Sequence, residues 1–206
     1  MIVAFLVAVG AYILGGIPMG LIVARSAAGV DIREHGSGNI GTTNVLRVIG
    51  ARWAVVVFIL DALKGVLPVL AGGHLGLAPR QLAFAGLLAV AGHNWSPFLR
   101  FRGGKGVATS LGVLLAVSPP TAAAVAGAWG LAVLATGYAS LGSMVGLSLS
   151  GPASVLFSGS RDYLWLGILL FAMTVFQHRA NIDRLIHGRE LAILRKKRPG
   201  GQDTTR

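Results

Sequence analysis

Long apolar runs separated by short polar loops constrain the fold of this chain more than any other feature of its sequence. Seven such runs cover residues 2–23, 54–71, 81–95, 106–117, 121–136, 141–157 and 163–176. With 54% hydrophobic and only 12% charged residues, the chain has too little polar surface to cover a soluble globule of 206 residues. The sequence therefore predicts an all-α integral membrane protein, a single domain over residues 1–206, built as a bundle of about seven transmembrane helices.

Several of these runs are shorter than the roughly twenty residues that a helix needs to cross about 30 Å of hydrocarbon. Such helices tilt less, thin the bilayer, or end inside a polar cavity that neighbouring helices share. The last arrangement suits an enzyme whose polar loops dip inward. The first run is too long for the apolar region of a signal peptide and lacks a cleavage site, so we interpret it as a transmembrane helix.

Positive charge is distributed unevenly between the two sides of this predicted bundle. One side holds Arg25, Arg33, Arg47, Arg52, Arg100, Arg102, Lys105 and the basic residues of 179–206, including a tail at 193–206. The other side holds only Arg80 and Arg161. The positive-inside rule therefore predicts an outside N-terminus, a cytoplasmic C-terminus and a polar pocket that faces the cytoplasm.

Composition also excludes several classes of function. The net charge of +11 would suit a nucleic-acid partner, but the basic residues lie in short loops and in the tail rather than on a polar helix face with interleaved aromatic residues. Because the chain has no cysteine, it has no disulfide framework, thiolate nucleophile or cysteine zinc site.

The most unusual polar stretch, GHNWSPFLRFRGGKGVATSLG at residues 92–112, stands between two apolar runs. Glycines at 103, 104 and 106 around Lys105 predict a loop whose backbone amides turn inward around an anion, next to the N-terminus of a helix that starts near Val107. It is not a Walker A loop, because Gly106 stands where the magnesium-binding hydroxyl should be and no strand precedes it. The alternative is a membrane loop whose glycines serve only for turning.

A second polar stretch, DIREHGSGNIGTTNVLR, follows the first apolar run. Thr43, Asn44 and Arg47 fall close to one face of a predicted helix, and a hydroxyl, an amide and a guanidinium suit a phosphate or a carboxylate rather than a metal. The alternative is a capped interfacial helix with a snorkelling arginine. Within the next apolar run, Asp61 and Lys64 lie one turn apart, and we interpret them as a structural pair that fixes this helix against the site.

A third polar stretch, FQHRANIDRLIHGRELAILRKKR, follows the last apolar run. Helical spacing places His178, Asn181 and Leu185 on one face and predicts an ion pair between Arg179 and Asp183 on another. His178 and Asp183 have the spacing H-x-x-x-x-D, which is typical of a catalytic pair whose aspartate touches the histidine and orients it as a base. On a helix, however, Asp183 is about 140° around from His178, whereas Asn181 is only about 60° away. We therefore expect Asn181 rather than Asp183 to act beside His178. The terminal RKKR is interpreted as an anchor to anionic lipid.

Taken together and in this order, the three stretches resemble the bacterial acyl-phosphate:glycerol-3-phosphate acyltransferase (PlsY) family over essentially the whole chain. The resemblance rests on GSGNIGTTNVLR, on DALKG in the second apolar run, on the 92–112 stretch and on HRANIDRLIHGRE. It implies transfer of a fatty acyl group from acyl phosphate to the 1-position hydroxyl of glycerol 3-phosphate, giving lysophosphatidic acid and phosphate in phospholipid synthesis. It also implies a bacterial cytoplasmic (inner) membrane location, membrane lipids as surroundings, and no cofactor or metal.

The resemblance further implies roles for individual residues. The expected catalytic set is Ser37, Arg47, Lys105, His178 and Asn181. The expected substrate-binding set is Gly103, Gly104, Lys105, Thr109 and Ser143. Glu190 is expected to hold the third stretch in shape.

The chemistry of an acyl phosphate agrees with these residue types, because an activated donor needs no acyl-enzyme, only two anions held close together and neutralisation of the charge that develops. The proton of the acceptor hydroxyl goes either to His178 or to a phosphate oxygen of the donor, and the sequence does not choose between them. We expect no carrier protein to be required. An anion or phosphate-metabolite transporter is the alternative, although the two halves of the chain show no repeat. A purely structural subunit would leave the polar residues on one side unexplained.

Overall fold

The computed structural model describes residues 1–193, and helices are the regular secondary structure that these residues form. In chain order they are α1 Ile2–Gly16, α2 Met19–Ala28, α3 Thr42–Ile49, α4 Ala51–His74, α5 Pro79–Asn94, α6 Val107–Val117, α7 Pro119–Thr136, α8 Ala139–Ser148, α9 Ser150–Ser158, α10 Arg161–Gln177 and α11 Arg179–Ile186. Two short 3-10 turns lie at Ile32–Glu34 and Pro97–Leu99. The predicted all-α membrane bundle is confirmed; the RKKR anchor and the rest of the tail after residue 193 lie outside the described residues.

Each of the seven predicted apolar runs contains a helix, but their number as separate membrane spans is not confirmed. Among residues 1–193, four helical runs are long and apolar enough to cross a membrane by themselves: Ile2–Ala28, Ala51–His74, Pro119–Thr136 and Ala139–Ser158. By contrast, α6 has only 11 residues and is therefore about 16 Å long, roughly half of the hydrocarbon thickness. It begins inside the protein, where its first turn can meet a polar cavity.

A proline interrupts the first membrane run between α1 and α2. Ile17 takes the extended conformation that a following proline favours (ψ 121°), so Pro18 ends the helical hydrogen bonding there. The carbonyls of the break accept hydrogen bonds from side chains elsewhere in the bundle: Gly16 from Ser96 Oγ at 2.6 Å and Ile17 from Lys64 Nζ at 2.7 Å. The break thereby ties the first membrane run to α4 and to the loop after α5.

Glycines let α4 and α6 pack almost backbone to backbone. A Cβ at Gly65 of α4 would overlap the Thr109 carbonyl, and a Cβ at Gly112 of α6 would overlap the Ala62 carbonyl. Small residues at such crossings are the usual means by which membrane helices approach each other closely. This crossing places the start of α6 beside the polar residues of α4.

The three polar stretches meet at one end of the bundle. After α11 the chain turns back, so that the Ile193 N–H donates to the carbonyl of Gly137, directly after α7 (2.9 Å), and Arg47 of α3 donates to the Leu191 carbonyl (2.8 Å). Residues that are more than a hundred positions apart in the sequence therefore enclose one space, which we call the polar-end cavity.

Candidate functional site

The polar-end cavity has a volume of about 520 Å³. Its wall brings together all five predicted catalytic residues and Ser143 of α8, which was predicted to bind substrate: Ser37, Arg47, Lys105, His178, Asn181 and Ser143. Glu190 and Arg184 complete the polar wall. The interpretation of the three polar stretches as parts of a single pocket therefore agrees with the structure.

Lys105 lies in the loop just before α6, and its ammonium group projects into the cavity. Its Nζ donates a hydrogen bond to Asn181 Oδ1. Burial lowers the pKa of Lys105 to about 8, against the opposing effect of the Glu190 carboxylate and with smaller contributions from Arg184 and Arg47. A lysine with this pKa is still mostly charged at neutral pH and is poorly solvated, so an anion that enters the cavity gains a strong partner.

Glu190 orients the amide that contacts Lys105. Its Oε1 accepts hydrogen bonds from Asn181 Nδ2 (2.6 Å) and Ser140 Oγ (2.7 Å), and its Oε2 accepts one from Arg184 Nε (2.8 Å). Although burial by itself raises the pKa of Glu190, the hydrogen bonds from Asn181, Ser140 and Arg184 bring it below the usual value. Because the Asn181 NH₂ is held by a carboxylate, its carbonyl oxygen must face Lys105.

His178 follows directly after α10 and is 2% exposed. Its Nδ1 lies 2.8 Å from the Thr174 carbonyl, which can only accept, so Nδ1 carries the proton and Nε2 keeps its lone pair. Burial and the charge of Lys105 lower the pKa of His178 to about 4. The imidazole is therefore neutral at physiological pH and offers one acceptor nitrogen.

Helix α3 and the stretch before it continue the polar wall of the cavity. Arg47 of α3 is half-buried, while Ser37 is exposed at the rim and donates its backbone N–H to Asn44 Oδ1 (2.8 Å). The Asn44 amide also donates to the carbonyls of Ile32 and His35, at 3.0 and 2.9 Å. Sequence spacing suggested that Asn44 would face a phosphate together with Arg47; instead its side chain is used to hold the loop that presents Ser37.

The glycine loop differs in detail from the predicted amide cradle. The N–H groups of Gly103 and Gly104 donate to the carbonyls of Asn94 (3.1 Å) and His93 (2.9 Å) at the end of α5. A Cβ at Gly104 would overlap the His93 ring. These glycines therefore allow the loop to lie against α5, and they do not direct their amides into the cavity, whose wall here consists of Lys105, Gly106, Val107 and Ala108.

Thr109, predicted to bind substrate, is fully buried beneath the cavity rather than on its wall. It lies on the face of α6 that packs against Gly65 of α4. Its hydroxyl makes no hydrogen bond to any residue among 1–193. The family resemblance implied that Thr109 contacts substrate, but the first turn of α6 places its side chain in the helix crossing.

Three ionisable side chains form a buried cluster below the cavity. Lys64 Nζ donates to Asp61 Oδ1 (2.9 Å), to the Ile17 carbonyl (2.7 Å) and to His93 Nδ1 (3.1 Å), and the three side chains are 2–4% exposed. Asp61 and His93 also reach the cavity wall. The structural interpretation of the Asp61–Lys64 pair agrees with these contacts, whereas His93 was missed, since only its place within the polar 92–112 stretch marked it.

Asp183 stands away from His178. Its carboxylate is exposed and lies 3.3 Å from His187 Nδ1 and 3.8 Å from Arg189. The predicted ion pair with Arg179 is wrong: Arg179 donates to the Phe176 carbonyl (3.0 Å) and stacks on the Phe176 ring. Its guanidinium turns back over α10 because the aromatic face offers a cation–π contact there. The H-x-x-x-x-D spelling is thus not realised as a dyad.

The opposite wall of the cavity is apolar. It is formed by side chains of α6, α7 and α8, among them Leu111, Val125, Trp129 and Leu147. A polar wall that can hold anions thus faces an apolar wall that can hold a hydrocarbon chain.

Comparison with known proteins agrees with this arrangement. A family model described as glycerol-3-phosphate acyltransferase matches residues 5–188. The glycerol-3-phosphate acyltransferase of Desulforudis audaxviator is 46% identical over 180 residues, covering 87% of this chain and 90% of that protein. The protein of the same name from Clostridioides difficile is 46% identical over 197 residues, covering 93% and 96%.

Solved structures agree over the same length. A crystal structure of PlsY (YgiH), an integral membrane glycerol 3-phosphate acyltransferase in its glycerol 3-phosphate form, matches with a TM-score of 0.87 and 39% identity, over 92% of this chain and 95% of that one. The lysophosphatidic acid form of PlsY matches with a TM-score of 0.85 and 38% identity, over 92% and 94%.

Proposed function

The chain belongs to the glycerol-3-phosphate acyltransferase family, and on this premise we propose that it transfers a fatty acyl group from acyl phosphate to the 1-position hydroxyl of glycerol 3-phosphate. The products are lysophosphatidic acid and inorganic phosphate. The reaction takes place at the membrane and begins phospholipid synthesis.

The observation that carries this proposal is the division of the polar-end cavity into two walls. Lys105 and Arg47 supply positive charge on one side, and the side chains of Trp129 and Leu147 supply an apolar surface on the other. Acyl phosphate has the same division, with a dianionic head on a long apolar chain. Its chain can lie between the helices in the lipid while its head reaches the charged wall.

Two phosphates must come close together in this reaction, so positive charge is the main requirement. Lys105 and Arg47 neutralise the phosphates, and Asn181 and Ser37 offer polar groups to the phosphate and glycerol oxygens. Because the donor is already activated, orienting the acceptor hydroxyl against the acyl carbon supplies most of the catalysis. The wall is held in place by Glu190, whose three hydrogen bonds fix Asn181 and Arg184.

The leaving phosphate is the better acceptor for the hydroxyl proton. As the C–O bond to glycerol forms and the bond to phosphate breaks, the phosphate gains a charge that a proton can neutralise, and the reaction must end with that proton on phosphate. Without substrate, burial and the charge of Lys105 lower the pKa of His178 to about 4, so the imidazole is a weak base there. In this mechanism Nε2 of His178 accepts a hydrogen bond from glycerol 3-phosphate and thereby orients this substrate.

Purified protein tests the proposal directly. Release of phosphate from palmitoyl phosphate should depend on glycerol 3-phosphate and should be accompanied by an equal amount of lysophosphatidic acid. Palmitoyl-CoA and acyl carrier protein should give little or no product, because the donor head must enter the cavity without a bulky carrier. Comparable rates with either carrier, or transport of glycerol 3-phosphate into vesicles without acylation, would contradict the proposal.

A further inference from the structure

The face of the bundle away from the polar-end cavity contains a second concavity. Helices α1 and α10 each pack along α5 but do not pack along each other, so a furrow of about 650 Å³ remains over α5 between them. Ala83 and Leu87 of α5 form its floor, and Ala4 and Ala8 of α1 keep one wall low. We call this concavity the α1–α10 furrow.

Two arginines stand at one end of the furrow. Arg80 is in the first turn of α5 and Arg161 is the first residue of α10, and both line the furrow although they are 81 positions apart. They are the only lysine or arginine residues that the loop charges assign to the side opposite the cytoplasmic one. The fold has therefore gathered all the lysine and arginine charge of that side into one place.

Neither arginine has an ionic partner among residues 1–193, and neither guanidinium makes a side-chain hydrogen bond there. At the opposite end, by contrast, Arg25 and Arg33 pair with Asp31, and Arg184 pairs with Glu190. Asp162 is the acidic side chain at the furrow, and it leaves the pair with a net positive charge. The side-chain carbonyl of the nearby Gln81 accepts a hydrogen bond from the Ala78 N–H. An anion at this place would find two unpaired guanidinium groups.

The position of the two arginines relative to the membrane indicates which kind of anion could bind. Both α5 and α10 run from the arginine end to the polar-end cavity, and a helix of 16 residues is about 24 Å long, so the arginines stand near the opposite membrane surface. Below them the furrow is lined by apolar side chains and faces lipid, with Phe84 55% and Trp165 62% exposed. A tryptophan at this depth is typical of the boundary between headgroups and acyl chains.

We propose that the α1–α10 furrow binds an anionic phospholipid of the outer leaflet, with its phosphate between Arg80 and Arg161 and an acyl chain along Ala83, Leu87 and Leu166. The net positive charge favours an anionic headgroup such as that of phosphatidylglycerol over a zwitterionic one. This site lies about one membrane thickness from the polar-end cavity and does not depend on the acyl transfer proposed above.

Lipid quenching of fluorescence tests this proposal on the full chain in detergent micelles. Phosphatidylglycerol with brominated acyl chains should quench Trp165, and the difference from the Trp165→Phe variant isolates that signal from Trp53, Trp95 and Trp129. Arg80→Gln together with Arg161→Gln should weaken the affinity for this lipid at least about tenfold, because two charge-assisted contacts are lost. Each single substitution should have a smaller effect.

Matched variants separate the site from general charge attraction. Asp162→Asn should bind phosphatidylglycerol more tightly, and Arg52→Gln, which removes the same charge at the other end of the bundle, should bind it as the wild type does. Glycerol-3-phosphate-dependent phosphate release should be unchanged in the furrow variants, which distinguishes a failure here from a failure of the acyl-transfer proposal. Removing arginines from the outer side strengthens the charge bias that orients the chain, so altered insertion does not explain a loss of binding.

Several outcomes would overturn the proposal. One is a double arginine variant that binds phosphatidylglycerol as tightly as the wild type does. Another is an Arg52→Gln variant that loses as much affinity as the double arginine variant. A third is quenching by brominated phosphatidylethanolamine that is as strong as quenching by brominated phosphatidylglycerol. Displacement of the lipid by millimolar inorganic phosphate would show a site for free anions instead. Association of two copies that is lost in the arginine variant would show that the furrow is an interface between chains.

Discussion

Lys64 and Lys105 are both lysines removed from water, but their surroundings differ. Lys64 is 2% exposed, and its ammonium group has an acceptor for each of its three protons: Asp61, the Ile17 carbonyl and His93. Among residues 1–193, the ammonium group of Lys105 has one hydrogen-bond acceptor, Asn181. A buried ammonium group whose three protons all have acceptors stabilises the fold. A buried ammonium group with unused protons can donate hydrogen bonds to a ligand.

The largest effect expected from this comparison is the loss of folded protein in Lys64→Met. Removing one partner of a buried ion pair leaves the Asp61 carboxylate buried without its lysine, and such losses cost about 3–5 kcal/mol. Thermal unfolding of detergent-purified protein measures the change. The double variant Asp61→Asn with Lys64→Met should recover part of the loss, since it removes the unpaired charge. If Lys64→Met unfolds at the wild-type temperature but is inactive, Lys64 belongs to the site and the comparison fails.

Lys105→Ala should behave in the opposite way, with normal stability and weak substrate binding. Losing one charge-assisted contact is expected to raise KM for glycerol 3-phosphate by about ten- to a hundredfold. Steady-state kinetics at saturating acyl phosphate measure this value. Arg102→Ala, which removes an exposed cation three residues away, is the matched control and should leave KM unchanged. An unchanged KM in Lys105→Ala would remove this lysine from the acceptor site.

Part of the fold and part of the candidate site could be predicted from the sequence. Hydropathy locates the helices because every backbone group in a bilayer must be satisfied within its own segment. It cannot give the number of complete spans, because α6 is stabilised by packing against α4 rather than by its length. The residue types on the wall of the polar-end cavity were predictable, since phosphate chemistry limits the choice to arginine, lysine, amides, hydroxyls and imidazole.

What sequence reasoning missed depends on contacts between distant residues. The amides of Gly103 and Gly104 could equally have faced an anion, and only the position of the α5 carbonyls shows that they are occupied. Likewise, spacing paired Asp183 with Arg179, but the Phe176 ring attracts that guanidinium. The meeting of Arg80 and Arg161 requires the packing of both helices on α5, which no local pattern contains.

Asn181 and Asp183 extend the comparison to two polar residues on one short helix. Asn181 bridges Glu190 and Lys105, so Asn181→Ala should lower kcat/KM by at least about tenfold, the scale of a lost hydrogen bond in a buried site. Within the described residues 1–193, Asp183 pairs only with exposed partners, so Asp183→Ala should keep most of the activity. Both variants should be compared at equal protein levels in membranes. An inactive Asp183→Ala beside an active Asn181→Ala would restore the H-x-x-x-x-D dyad and overturn the assignment of this segment.

The smallest effect concerns pH. Since burial lowers the pKa of Lys105 to about 8, its charged fraction in the free enzyme falls as the pH rises through that value. Between pH 7 and pH 8.5 the phosphate of glycerol 3-phosphate does not titrate, because its second ionisation lies near pH 6. Over this range kcat/KM for glycerol 3-phosphate should therefore decrease by about fourfold because of the lysine alone.

Lys105→Arg supplies the control for this pH effect, because a guanidinium stays charged throughout the range. Its kcat/KM should be lower than that of the wild type at pH 7, since the arginine fork does not reproduce the contact with Asn181, but it should not fall further up to pH 8.5. The logarithm of kcat should vary less than that of kcat/KM in the wild type, because bound phosphates raise the pKa of Lys105 in the complex. A decline of equal size in Lys105→Arg would assign the titration to another group and would leave the unused donors of Lys105 without a measurable consequence.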